Sequence, residues 1–119
     1  MTEIETKNAL IESTMLGKED HGMMSFFLHL IYGDSGQGAG GIRLDQWNKE
    51  KNCNEGTAYG MSLIMRIMEV VGVDKWEDLK GKHIRVKCSW AKVHAIGNLL
   101  KDDWIDFDEF GKQLLNKTT

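Results

Sequence analysis

The sequence contains no proline. Every sharp reversal must therefore be made with glycine, asparagine or aspartate, and the 13 glycines become the punctuation of the fold. No stretch approaches the roughly eighteen consecutive apolar residues of a membrane-spanning helix. The N-terminus, Met1-Thr2-Glu3-Ile4-Glu5, is acidic and polar where an export signal is basic and then apolar, so the chain is expected to stay in the compartment where it is made. Cysteine is scarce. Cys53 and Cys88 lie too far apart for a metal motif, and in a chain without an export signal both are expected to be reduced, structural thiols. Positive charge is also in deficit, at 15 Lys and Arg against 18 Asp and Glu. That balance argues against gripping a nucleic-acid backbone over many phosphates, yet leaves room for a small anionic ligand in a local basic pocket.

What is present is the mixture of an ordinary globular protein, 41% apolar and 28% charged. A chain of 119 residues supports one core, so residues 1–119 are expected to form a single domain.

Alternation over Asn8 to Leu16 predicts a first strand, and Gly17 to Gly22 a turn with a charged tip. A second strand follows over Met23 to Tyr32, apolar on both faces and so central or covered on both sides. Five glycines lie between Gly33 and Gly41, and Ile42-Arg43-Leu44 again reads extended, so a third strand contains part of this run. Asp45 to Gly56 is polar apart from Trp47 and Cys53 and reads as a surface loop.

Thr57 is placed to cap a helix reaching Val71 and closed by Gly72. Met61, Ile64, Met65, Met68 and Val71 share one face of it, while Leu63, Ile67 and Val70 cover a second. A helix that apolar needs burial on two sides, and in so small a domain the second partner can be another subunit. Asp74 and Glu77 have capping-box spacing for a short turn over Lys75 to Leu79, closed by Gly81. His83 to Cys88 reads as a half-exposed strand with a basic outer surface. After a tight reversal at Ser89-Trp90-Ala91, Lys92 to Leu99 completes a second hairpin. Asp106 and Glu109 form a further capping box ahead of Phe107, Phe110 and Leu114 in a last amphipathic helix. The fold class is therefore α+β, with an antiparallel sheet in β-β-β-α-β-β-α order packed against one long buried helix.

The residues point to no catalytic set, no metal and no cofactor. His21, His29, His83 and His94 lie on separate elements, and none has a second ligand at i, i+4 spacing. Ser25, Ser35, Ser62 and Cys88 sit in no nucleophile motif. Gly36 to Gly41 lacks the Gly-Lys-Ser/Thr ending of a phosphate loop, leaving a glycine strand against another backbone or a site of ligand approach. Arg66, within the apolar helix, either pairs with Glu69 at i, i+3 on the surface or holds an anion at a subunit interface. Trp90 and Asn98 either frame a planar ligand, with Arg85, Lys87 and Lys101 nearby, or serve as sheet cover and turn.

Four stretches, Leu16-Gly17-Lys18-Glu19-Asp20-His21-Gly22, Gly36-Gln37-Gly38-Ala39-Gly40-Gly41, Val70 through Leu79 and Ala95-Ile96-Gly97-Asn98, resemble small phage and prophage proteins of the first type of Thoeris anti-defence protein. The resemblance spans most of the chain. It implies a non-enzymatic sponge in the cytoplasm of the bacterial host that sequesters cyclic ADP-ribose-type signals, some members also holding cyclic oligonucleotides at separate sites. It further implies a homo-oligomer, a dimer or a dimer-based hexamer, with the ligand between subunits against an aromatic, an asparagine and arginines. Carried onto this sequence, Trp90 and Asn98 would be the aromatic and the amide and Arg66 the interfacial cation; Arg85 and Lys101, near the hairpin, are the further cations expected to bind the ligand. The chain departs from that pattern in its C-terminal helix, where Lys112 and Lys117 stand and no arginine does. Two rival classes remain: a nucleotide-cleaving enzyme using His21 or His94 with Asp20 or Asp103, and a protein-protein inhibitor working through an apolar patch.

Overall fold

The computed structural model describes residues 3–20 and 22–110, the side chains of residues 19 and 20 excepted. Eight strands and one long helix follow in the order β1 (Glu5–Asp20), β2 (Met23–Tyr32), β3 (Ser35–Arg43), β4 (Asp45–Asn48), β5 (Cys53–Gly56), α1 (Ala58–Val71), β6 (His83–Cys88), β7 (Val93–Gly97) and β8 (Trp104–Asp106). Six of the strands form one antiparallel sheet in the order β3-β2-β1-β6-β7-β8.

The sheet is two staggered ladders sharing one strand. From Leu10 onward β1 pairs with β2, and from Glu5 to Leu10 it pairs with β6. The β1–β2 register slips between Ile11 and Ser13, a bulge that bends the shared strand. Alternation along β2 puts Phe26, Leu28 and Leu30 fully inside, together with Ile11 of β1 and Ile84 and Val86 of β6. The opposite face of β2 is partly open, with Phe27 41% exposed. Its ring lies across Gly38 of β3, where a Cβ would stand 2.0 Å from Phe27 Cζ. The glycine run is thus a strand flattened beneath an aromatic ring. Gly40 and Gly41, at φ 121° and 70°, take the left-handed backbone beside a register slip at Phe26–Phe27.

Helix α1 starts as its sequence predicts. Thr57 Oγ1 accepts from the Gly60 amide at 2.8 Å and donates to the Leu44 carbonyl at 2.8 Å. Gly72, at φ 92°, ends it by donating to the Met68 carbonyl. Leu63, Ile67 and Val70 are wholly buried in the core, each contributing about 1.5–3 kcal/mol. On the second apolar face Ile64, Met68 and Val71 are half-buried, Ile64 and Val71 against the core, while Met61 is 63% and Met65 58% exposed, so that face is only partly covered among the described residues. Asp106 Oδ1 accepts from the amides of Asp108 and Glu109, capping a helical stretch that begins at Phe107. Leu114, Lys112 and Lys117 lie outside the described residues.

Four local expectations are corrected. The first strand does not turn at Gly17 but runs on to Asp20, with the reversal at Gly22 in left-handed backbone. The polar segment Asp45–Gly56 is the β4–β5 hairpin and not a loop. Its turn is held by Asn48 Oδ1, which accepts from the amides of Glu50 and Lys51, and by Asn52 at φ 55°. The Asp74–Glu77 capping box does not form, because the 3-10 turn Trp76–Leu79 follows Lys75 without a side-chain cap. Beyond the Asn98–Asp103 loop the chain adds the short edge strand β8, hidden from periodicity by its three-residue length.

Candidate functional site

Because β1 is shared, the β2–β3 turn folds towards the tip of the β6–β7 hairpin. Between them lies a cleft of about 660 Å³ lined by Glu3, Glu5, Lys7, Tyr32, Ser35, Gly36, Gln37, Cys88, Ser89 and Trp90. Trp90 stands at its rim, 93% exposed. The tip is closed by the Ser89 amide donating to the Lys92 carbonyl at 2.9 Å.

Gln37 crosses from β3 to that tip. Its Nε2 donates to the carbonyls of Ser89 at 3.2 Å and Trp90 at 3.4 Å, while its Oε1 accepts from the Tyr32 hydroxyl. Burial, reinforced by the neighbouring Cys88 thiol, pushes the Tyr32 hydroxyl up to about 12, so it keeps its proton at neutral pH. Lys7 Nζ lies 5.2 Å from the centre of the Tyr32 ring and 3.5 Å from the Glu5 carboxylate. The lining therefore combines an exposed indole, hydroxyls, carboxylates and one ammonium, a set suited to a planar, hydrogen-bonding small molecule.

No family model, curated protein or solved structure matches the chain.

Of the five residues singled out as ligand-binding, the structure places Trp90 on this cleft and gathers the other four around the Asn98–Asp103 loop. Asn98 Nδ2 donates to the Val70 carbonyl, and its Oδ1 accepts from the amides of Leu100 and Lys101. Arg85 donates to the carbonyls of Asn98 and Lys101, both at 2.8 Å, and stacks on Trp104. Lys101 is exposed on the loop itself. Arg66 donates to Asp103 at 2.5 Å, to Glu69 at 3.0 Å and to the Trp104 carbonyl. The Asp103 hydrogen bond is the chief reason its guanidinium holds its proton more tightly than usual. Asn98, Arg66 and Arg85 thus clamp the loop to α1 and β6. Val93 to Gly97 of β7, about 13 Å of extended chain, lies between Trp90 and Asn98.

Of the acid-base pairs weighed for an enzyme, the one within the described residues, His94 with Asp103, is not assembled. Asp103 is committed to Arg66, and His94 Nε2 lies 3.0 Å from Ser89 Oγ instead. His21 and the Asp20 side chain fall outside the described residues. Among the described residues no group of three or more His, Cys, Asp or Glu is placed to hold a metal ion. No described helix is long and apolar enough to cross a membrane.

Sequence reasoning missed Tyr32, Gln37, Ser35, Lys7, Glu3 and Glu5. One signal was available for Gln37, a lone amide in a glycine run.

Proposed function

We propose that this protein binds a small cyclic nucleotide of the cyclic ADP-ribose type in the cleft and sequesters it unaltered. The observation that carries this reading is Trp90. An indole left in water forgoes burial worth about 25 cal/mol per Å² of apolar surface, whereas stacking a base on it returns about 1–3 kcal/mol. Glu3, Glu5 and Ser35 supply partners for ribose hydroxyls, and Lys7 is the lining cation for a phosphate. The resemblance in sequence to Thoeris anti-defence proteins supports the same ligand class and extends it to cyclic oligonucleotides. A sponge acts by stoichiometry and must outbind the receptor it starves, each 1.4 kcal/mol of advantage being about tenfold in affinity. A homo-oligomer accompanies the reading, with a second copy covering Met61 and Met65.

Titration calorimetry of Trp90→Ala with cyclic ADP-ribose tests this directly. The expected result is at least a tenfold loss of affinity with an unchanged melting temperature, since so exposed a ring contributes little to folding. Wild-type affinity in the variant would contradict it.

One observation favours a second reading, hydrolysis at the cleft, because the Ser89–His94 contact has the separation of a nucleophile and its base. Conversion of the intact cyclic ligand to a ring-opened product heavier by one water, abolished in His94→Ala, would establish it.

A further inference from the structure

We infer that Gln37 is the positioning residue of the cleft: its amide, oriented by the Tyr32 hydroxyl, ties the backbone of the β6–β7 tip to the glycine-rich strand and so fixes where the Trp90 ring stands. This rests on the reading that the cleft is the binding site.

The amide has its polar atoms engaged. Tyr32 donates to Oε1, which forces Nε2 towards the tip, where the carbonyls of Ser89 and Trp90 take it at 3.2 and 3.4 Å. Those partners are 52 and 53 positions away in sequence, so the bonds join the two ladders and not neighbouring turns. The strand beneath is itself closely held. A Cβ at Gly36 would stand 2.9 Å from the Leu30 carbonyl oxygen, and one at Gly38 would enter the Phe27 ring. Gln37 therefore projects from a segment pressed against β2, opposite the wholly buried Leu30. Trp90, by contrast, has a ring surrounded by solvent, so its place is set through its backbone. With the tip tied, a ligand meets an indole whose backbone is already in position and has only its side-chain torsions left to order.

Three other features of the lining bear on this brace. Cys88 sits beside the Tyr32 hydroxyl, the donor that orients Gln37. Lys7 Nζ lies over the Tyr32 ring. Ser89, whose carbonyl accepts from Gln37, is held at its side chain by His94.

The test uses the full chain labelled with fluorotryptophan, whose four indoles give separate fluorine NMR signals, the Trp90 signal being assigned with Trp90→Phe. Gln37→Met keeps the length and removes every bond, while Gln37→Glu keeps an acceptor for Tyr32 and loses the donor to the tip. Both variants should shift or broaden the Trp90 signal, leave those of Trp47, Trp76 and Trp104 in place, and weaken cyclic ADP-ribose binding about tenfold. Tyr32→Phe, which leaves Gln37 intact but unoriented, should move the same signal less, and it carries the test if Gln37→Met fails to fold. An unchanged Trp90 signal in the folded variants overturns the inference. A moved signal with wild-type affinity overturns the link between brace and binding. If the wild-type protein binds no cyclic nucleotide, the proposed function fails, and the fluorine spectra still decide the brace by themselves.

Discussion

Asp45 shows how a single side chain ties stability to pH. It is buried at the start of β4, where it accepts from the Met24 amide at 3.1 Å and from Arg43 Nε at 2.8 Å. Burial raises its pKa, and the Met24 and Arg43 bonds more than offset that, leaving the carboxyl below its ordinary value of 3.8. Because the folded group binds its proton less readily than the unfolded one, its contribution is complete above that pH and is lost as pH falls through the lower folded value. Denaturant unfolding as a function of pH should show this acid limb, and Asp45→Asn should flatten it. Tyr32 has the opposite sense. Its raised pKa contributes below pH 10 and is lost as pH rises towards about 12. Neither Asp45 nor Gln37 was legible as a structural residue, because each also reaches a partner far away in sequence, the Met24 amide for Asp45 and the Ser89 and Trp90 carbonyls for Gln37. Arg66 was legible only as an open choice: its Glu69 partner is three residues off, and Asp103 came into view with the loop that carries it.

The elements set by local chemistry, among them α1 with its Thr57 and Gly72 ends and the β6–β7 hairpin, were readable from periodicity and caps. The β4–β5 hairpin was not, since its strands are polar and are held by backbone pairing, the Asn48 turn and side-chain bonds such as Arg43 to Asn54. Gly60 sharpens the point. Helix propensity alone favours Gly60→Ala by up to about 1 kcal/mol. A Cβ there would stand 2.2 Å from the Leu44 carbonyl oxygen, backbone that cannot swing aside. Overpacking of that kind costs about 1–3 kcal/mol, so the contact outweighs the propensity. Gly60→Ala should lower the urea midpoint with an unchanged slope, and a raised midpoint would show that α1 does not sit on Leu44.

For the molecule as a whole, the staggered sheet is what makes a site. By pairing β2 with one half of β1 and β6 with the other, it brings Tyr32 and Gln37 beside Ser89 and Trp90. The α+β class and the antiparallel sheet against α1 were legible in the sequence, but that meeting follows from register and a bulge, which periodicity does not encode. The exposed Met61 and Met65 carry the oligomer expectation, and Met65→Glu should reduce the mass seen by light scattering to that of one chain. The central claim, binding without conversion, is tested most directly by mass spectrometry of what the protein releases on denaturation. Purified protein is first incubated with cyclic ADP-ribose-type and cyclic oligonucleotide signals. The account predicts an intact cyclic nucleotide in stoichiometric amount, lost in Trp90→Ala. Release of a cleaved product, or of nothing, would contradict it.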